Sequence, residues 1–230
     1  MIEWIRKHMG WMMWIIVGLV TVTFLFFGIY PSSDAGRSMA KVGGYVISTE
    51  EFNQAYRNLY ENYRNMLKDQ VSDTVTKSLR QQALQELIVN RLLIEEAKRI
   101  GLQVSDAELQ AEIMRMPAFA RDGRFDRQLY DRILDRINTT PAKFEASQRD
   151  FILRQKLERI VRDGVAAGDA ELRGAYEVRN PKAKPGDFEK NRDSFSQMYL
   201  AEKQRDAMTA LLRNIQEKIP VKINEKALAS

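Results

Sequence analysis

The chain has 230 residues, with 36 lysines and arginines against 31 aspartates and glutamates, for a formal net charge of +5. It contains no cysteine, which excludes disulfides and thiol catalysis, and its only histidine is His8. The small positive excess is spread along the chain rather than clustered, which argues against a nucleic-acid-binding surface.

The first predicted element is a membrane anchor at residues 11–30. The run from Trp11 to Tyr30 contains no charged residue, and a helix of this length spans roughly 30 Å, the thickness of the hydrocarbon core of a bilayer. Arg6 and Lys7 precede it, so the positive-inside rule places the N-terminus in the cytoplasm and the rest of the chain outside.

The alternative for this segment is a cleaved signal peptide. The tripeptide Ser33-Asp34-Ala35 loosely resembles a small-x-small cleavage site. The apolar run is longer than the roughly 7–15 residues of a signal-peptide core, which favours an anchor that is not cleaved.

Beyond the anchor, helical periodicity and capping motifs predict a mostly α-helical protein. Ser48 and Ser105 each stand three residues before a glutamate, a capping box that opens a helix. The segment 73–100, capped by Asp73, is predicted as the longest helix and, being apolar over nearly two faces, as the core of the domain.

Two segments at the ends of this region have the character of strands. Residues 40–47 predict a strand or a tight hairpin around Gly43-Gly44, and residues 220–223 alternate as a short strand does. Because a lone terminal strand is not stable by itself, we expect a small two-stranded sheet that joins the N- and C-terminal segments.

Several runs of sequence resemble the opening of the SurA-like and PpiD-like periplasmic chaperones. They are AKVGGYVISTEEFNQAYRNLYENYR, LQELIVNRLLIEEAKRIGLQVSDAELQAEI, PAFARDGRFDRQLYDRIL and TTPAKFEASQRDFILRQKL. The resemblance covers residues 40–178 and implies a SurA N-terminal-like multi-helix domain, which the C-terminal helix returns to complete. An anchor just ahead of this domain resembles the PpiD-type arrangement, and implies a single-pass protein of the inner membrane with its C-terminal domain in the periplasm.

The resemblance also divides the chain. The expected segments are the cytoplasmic stub and anchor (1–31), a tether (32–39), the helical chaperone domain (40–178), a linker (179–187), and the C-terminal helix and strand that complete the domain (188–230). In relatives, parvulin-type prolyl isomerase domains stand at the position of the linker. Such a domain needs on the order of a hundred residues, and its site uses histidines, so we expect no isomerase activity.

Motifs for other chemistry are also missing from the sequence. Without histidine or cysteine beyond residue 8, no Ser-His-Asp or Cys-His site is expected. The pairs Glu50-Glu51 and Glu95-Glu96 have the spacing of solvated helix surfaces rather than of a metal site. We expect no catalytic residue, no metal and no cofactor.

The candidate binding residues are apolar and surround one loop. Methionine and aromatic side chains adapt to varied partners, which predicts a contact surface for unfolded chains at Met114, Met116, Phe119, Phe125 and Tyr130. The alternative is that the loop, with two phenylalanines that look exposed, packs into the core of the domain.

The predicted function is that of a membrane-anchored holdase for unfolded exported polypeptides, acting without nucleotide or catalysis. Outer-membrane proteins are one candidate class of client, and a separate periplasmic isomerase or the translocon are candidate partners. The alternative is a non-enzymatic scaffold subunit with one dedicated partner, bound through the aromatic stripe at residues 52–63 or through the last helix.

Overall fold

The computed structural model describes residues 38–67 and 72–229, and most of these residues are helical. The helices are α1 (Thr49–Leu67), α2 (Asp73–Arg99), α3 (Asp106–Met114), α4 (Arg127–Arg136), α5 (Pro141–Asp163), α6 (Asp169–Arg179), α7 (Asp187–Lys218) and α8 (Glu225–Ala229), with a 3₁₀ turn at Pro117–Phe119. The strands are β1 (Ser38–Val42), β2 (Tyr45–Ser48), β3 (Ala120–Arg121), β4 (Arg124–Phe125) and β5 (Val221–Ile223).

The predicted anchor, residues 11–30, lies outside the described residues and stays a prediction. By length and hydropathy, the described part of the chain contains no helix that could span a bilayer.

The main sheet has three strands in the order β2-β1-β5, both pairs antiparallel. The predicted hairpin at residues 40–47 is confirmed, although β1 begins already at Ser38. Because the hairpin supplies two strands, the prediction of a two-stranded sheet is wrong by one strand. Gly43 makes the turn with φ of 57°, a conformation that favours glycine, and its N–H donates to the Pro220 carbonyl at 2.9 Å. The predicted pairing of the two ends of the domain is confirmed, with β1 in the centre.

Helix α2 lies at the centre of the main core, as its apolar sequence predicts. It packs against α1, α5, α7 and β1. Its side chains in the main core are Ala83, Leu84, Ile88, Leu92, Leu93 and Ala97. The prediction that this is the longest helix is wrong, since α7 has 32 residues and α2 has 27.

The predicted capping residues lie where the helices begin. The hydroxyls of Ser48, Ser105 and Thr140 each accept the backbone N–H three residues ahead, at 3.1, 3.2 and 3.3 Å. The cap of α2 is Ser72 rather than the predicted Asp73, because the Ser72 hydroxyl accepts the Val75 N–H. The helix boundaries therefore follow local sequence to within a residue or two.

A second, smaller cluster holds α6 against the first half of α7. Its buried members are Leu172, Tyr176, Phe188 and Phe195. The ring of Tyr176 meets Phe195 edge-on at 5.1 Å and Phe188 at 5.5 Å, distances at which aromatic pairs attract. The connection between α6 and α7 consists of residues 180–186, so the two helices form a tight antiparallel pair.

One carboxylate is buried at the C-terminal end of α2. Glu96 is 4% exposed, and its two oxygens accept hydrogen bonds from Arg99 Nε at 2.6 Å and Nη2 at 2.7 Å. These hydrogen bonds, with a weaker attraction from Lys218, hold the pKa of Glu96 below its ordinary value. Because folding lowers the pKa of Glu96, the ionised carboxylate stabilises the folded protein at pH values above the pKa of Glu96 in the unfolded chain. This contribution to the free energy of unfolding is lost as pH falls through the pKa of Glu96 in the folded protein.

We expect Glu96→Gln to lower the urea midpoint at pH 7, because the amide loses the charge-assisted pair with Arg99. The difference from the wild-type chain should shrink as pH falls below the ordinary pKa of glutamate, because the unfolded chain then binds a proton that the folded carboxylate binds only at lower pH. Urea titrations at pH 7, 5 and 3 measure this, with Glu86→Gln, an exposed site on the same helix, as the control. A difference that is constant across these pH values would contradict the role assigned to the charge.

Candidate functional site

The predicted binding residues surround a short hairpin between α3 and α4. Asp122 and Gly123 have φ of 52° and 76°, and this turn reverses the chain between β3 and β4. Asp126 then begins α4, because its carboxylate accepts the Leu129 N–H at 2.9 Å. The same hydrogen bond is the main reason that the pKa of Asp126 is lowered. The sequence predicts the turn but not the two strands.

Four aromatic rings meet under this hairpin. Phe119, in the 3₁₀ turn, contacts Tyr130 at 5.0 Å and Phe144 at 5.5 Å, both edge-on. Phe125, on β4, lies 5.8 Å from Tyr130. Phe119 is only 4% exposed, which confirms for this residue the alternative that the loop packs into the core. Its partners come from α4 and α5.

A cavity of about 380 Å³ opens between α3, β4, α4 and α5. Three of the five predicted residues line it, namely Met114, Phe125 and Tyr130. The other two, Met116 and Phe119, pack into or against the main core instead. The structure thus brings part of the predicted set into one concave surface and assigns the rest to packing.

The floor and rim of the cavity include residues that sequence reasoning missed. Leu109 and Ile113, buried on α3, extend the apolar floor. Glu145 and Arg149, from α5, stand on the rim. The sequence spacing of these residues within α3 and within α5 is ordinary for a helix. Only the packing of α3 against α5 makes them part of one site.

Most of the charges around the cavity are neutralised within the protein. Arg149 donates to Asp106 at 2.8 Å and to the Val104 carbonyl at 2.6 Å, which also fixes α5 to the start of α3. Arg127 donates to Asp131 at 3.1 Å. Glu145, which is exposed, has no ion pair with any residue in the ranges 38–67 and 72–229. Glu145 is therefore a rim carboxylate without an ion pair in the described part of the chain, although Arg127 and Arg149 also line the cavity.

The hydroxyl of Tyr130 has no hydrogen-bond partner among the described residues, although its oxygen is buried. The whole side chain is 2% exposed. Burial raises the pKa of Tyr130, and the negative charge of Glu145 raises it further. An unpaired buried hydroxyl costs about 1–3 kcal/mol, so this wall of the cavity carries a donor with no partner inside the protein.

A second concave surface of about 550 Å³ lies between α5 and α7. Its apolar side chains are Val161, Met198 and Met208, and polar residues such as Arg162 and Gln204 surround them. Met198 is 52% exposed. The sequence places Met208 on the apolar face of the last helix but gives no sign that a groove runs beside it.

The described residues do not form a site that could hold a metal ion. No group of three or more acidic, histidine or cysteine side chains converges within residues 38–67 and 72–229. The lowered carboxyl pKa values have local causes, such as the hydrogen bonds of Lys203 and Tyr199 to Glu171. The surface described above instead has apolar concave regions with isolated charged side chains around them.

Residues 1–158 match the family described as the SurA-like N-terminal domain. The chain belongs to this family. Its relatives include the periplasmic chaperone PpiD of Escherichia coli K12, 32% identical over 167 residues that make up 70% of this chain and 26% of the relative. PpiD of Haemophilus influenzae is 28% identical over 170 residues, 71% of this chain and 27% of the relative.

A shorter sequence match and a solved structure are also similar to this chain. Chaperone SurA of Nitrosospira multiformis is 34% identical over 95 residues, 41% of this chain and 21% of the relative. A solved SurA-like chaperone chain of Campylobacter jejuni superposes with a TM-score of 0.51 and 13% identity, covering 82% of this chain and 99% of that one. The family match and the PpiD relatives confirm the resemblance to the SurA-like and PpiD-like chaperones. The solved Campylobacter structure shows the fold. The chain spans about a quarter of the length of the PpiD relatives.

Proposed function

We propose that this protein is a periplasmic chaperone of the holdase type, which binds unfolded exported polypeptides without nucleotide or catalysis. Membership of the SurA-like N-terminal domain family supports a chaperone role, and the relatives are named periplasmic chaperones. The predicted anchor at residues 11–30 would hold the domain at the periplasmic face of the inner membrane. Tethering would raise its local concentration near emerging chains.

The observation that carries this proposal is the presence of two concave surfaces with accessible apolar side chains. Met114 and Met198, at 48% and 52% exposure, stand at one surface each. Flexible thioether side chains can pack against many different partners. Contacts of this kind are individually weak, so clients would be released by rapid exchange rather than by an energy-consuming step.

The packing of the aromatic stripe weakens one of the two interfaces that the scaffold alternative offers. In the aromatic stripe of α1, Phe52 is buried, and the Arg80 guanidinium lies 5.4 Å from the Phe52 ring and 5.9 Å from that of Tyr56. Part of the stripe is thus already covered by α2. Crosslinking in cells separates the two functions, since a holdase captures many clients and a scaffold captures one stoichiometric partner.

Prolyl isomerisation is not part of the proposed function. Residues 180–186 alone connect α6 to α7, which leaves no room for an inserted catalytic domain at this point. Outer-membrane proteins are the client class that we propose first, with a separate isomerase or the translocon as further partners.

We expect residues 31–230 to suppress the aggregation of an unfolded outer-membrane protein diluted from urea, because client segments would bind the two apolar surfaces. All residues of the main core lie within this fragment. Light scattering at increasing chaperone concentration measures the effect, and an equal mass of serum albumin is the control. Undiminished scattering at several-fold molar excess would contradict the holdase function.

A further inference from the structure

We propose that the cavity between α3, β4, α4 and α5 binds one large apolar side chain of an extended polypeptide and prefers a lysine or arginine beside it. This inference rests on the proposed chaperone function and specifies which client segments this site selects. Three independent features carry it: the apolar floor, the unpaired hydroxyl of Tyr130 and the carboxylate of Glu145, which has no ion pair among the described residues.

The floor sets the size and chemistry of the bound group. A volume of about 380 Å³ lies at the lower end of the range for sites that enclose small ligands, which is roughly 300–1,000 Å³. Leu109, Ile113 and Phe125 make this floor apolar and partly aromatic. A phenylalanine, tyrosine or methionine side chain with its own backbone fits these dimensions, whereas a folded domain does not.

The hydroxyl of Tyr130 supplies a donor for the backbone of the bound segment. An extended polypeptide brings a carbonyl oxygen next to each side chain, and a tyrosine O–H can donate to it. The oxygen is buried, so the carbonyl reaches it only after a side chain at the mouth moves. Met114 lines the same cavity, is 48% exposed, and is unbranched, so it can change rotamer at low cost.

Glu145 makes the site selective for charge. Asp106, Arg149 and Arg127 are neutralised by the ion pairs described above. The remaining carboxylate attracts a cation and repels an anion placed at the mouth of the cavity. A lysine or arginine next to the apolar residue of a client is therefore favoured over a glutamate at the same position.

The first test uses the full chain in mild detergent and three peptides of a glycine-serine background. Each carries one benzoylphenylalanine followed by lysine, glutamine or glutamate, and photocrosslinking yield against peptide concentration gives the affinity. We expect the lysine peptide to bind about 5-fold more tightly than the glutamate peptide, the size of an exposed ion pair. Glu145→Gln should remove this preference, and Glu86→Gln, on α2 outside the cavity, should retain it.

The second test separates ligand binding from a structural role of the hydroxyl. Tyr130→Phe removes only the unpaired oxygen, so we expect the urea midpoint to stay the same or rise while affinity for the lysine peptide falls about 3- to 10-fold, the range for one hydrogen bond. Tyr60→Phe, half-buried on α1, should change neither quantity. A lower urea midpoint with unchanged affinity would overturn the assignment of the hydroxyl to a ligand.

The remaining outcomes distinguish this inference from the chaperone function. The inference is overturned by crosslinks confined to α5 and α7, or by equal affinity for all three peptides. In either case, suppression of aggregation would still support the holdase function. A dimer in sedimentation that Glu145→Gln dissociates would assign the cavity to a second copy and also overturn it. Crosslinks to residues 109–145 with charge preference support it, whatever the result of the aggregation assay.

Discussion

Replacing Ile215 by alanine should destabilise the whole domain by about 2–5 kcal/mol, the range for truncating a large aliphatic side chain in a core. Ile215 lies near the end of α7, is 0% exposed, and belongs to the main core together with Met39 and Ile47 of the N-terminal hairpin. The cost is large because Ile215 is fully buried in the main core, on the helix that packs against α2.

Urea unfolding followed by circular dichroism measures this loss. Met198→Ala on the same helix is the matched control, and its free energy of unfolding should change by no more than about 0.5 kcal/mol because that side chain is half exposed. If Ile215→Ala costs less than about 1 kcal/mol, then α7 does not complete the core in the way that the structure indicates.

A second large effect is expected from Phe195→Ala, but it should remain local. Truncating a buried phenylalanine costs about 3–5 kcal/mol. Phe195 packs against Tyr176 and stacks on Tyr199 at 5.9 Å, within the cluster that is separate from the main core. Because this cluster has few buried members, we expect the lost free energy to exceed the free energy that holds the cluster together. Helix α6 should then separate from α7 while α2 remains folded.

Hydrogen exchange read by mass spectrometry tests this expectation. Amides of residues 169–198 should exchange much faster in the variant, whereas those of residues 83–97 should keep their protection. Val178→Ala, at a site on α6 that is 82% exposed, serves as the control and should leave both regions unchanged. Equal loss of protection in α2 would show that the two clusters unfold as one unit.

The elements that could be predicted from sequence are those with strong local signals. The hydroxyls of Ser48 and Ser105 determine where α1 and α3 begin, and each capping box is complete within four residues. The apolar face of α2 repeats over seven turns, so its burial follows from periodicity alone. Pairing of β5 with the N-terminal hairpin also follows, because a terminal strand needs a partner.

What could not be predicted depends on packing between distant segments. Strands β3 and β4 have two residues each, too few to show an alternating pattern. The burial of Phe119 depends on Tyr130 and Phe144, and nothing near Phe119 in the sequence reports their approach. The cavity likewise depends on the packing of α3 against α5, where Arg149 reaches Asp106 and Val104, more than forty residues earlier in the chain.

The central position of β1 has a consequence for how the molecule folds. Strand β1 pairs with β5, and the Asn224 side chain donates to the Ser38 carbonyl across a separation of 186 residues. Closing so long a loop is entropically costly and slow relative to helix formation. A chain that emerges N-terminus first should therefore present β1 with one open edge, a template for pairing with other chains, until β5 follows.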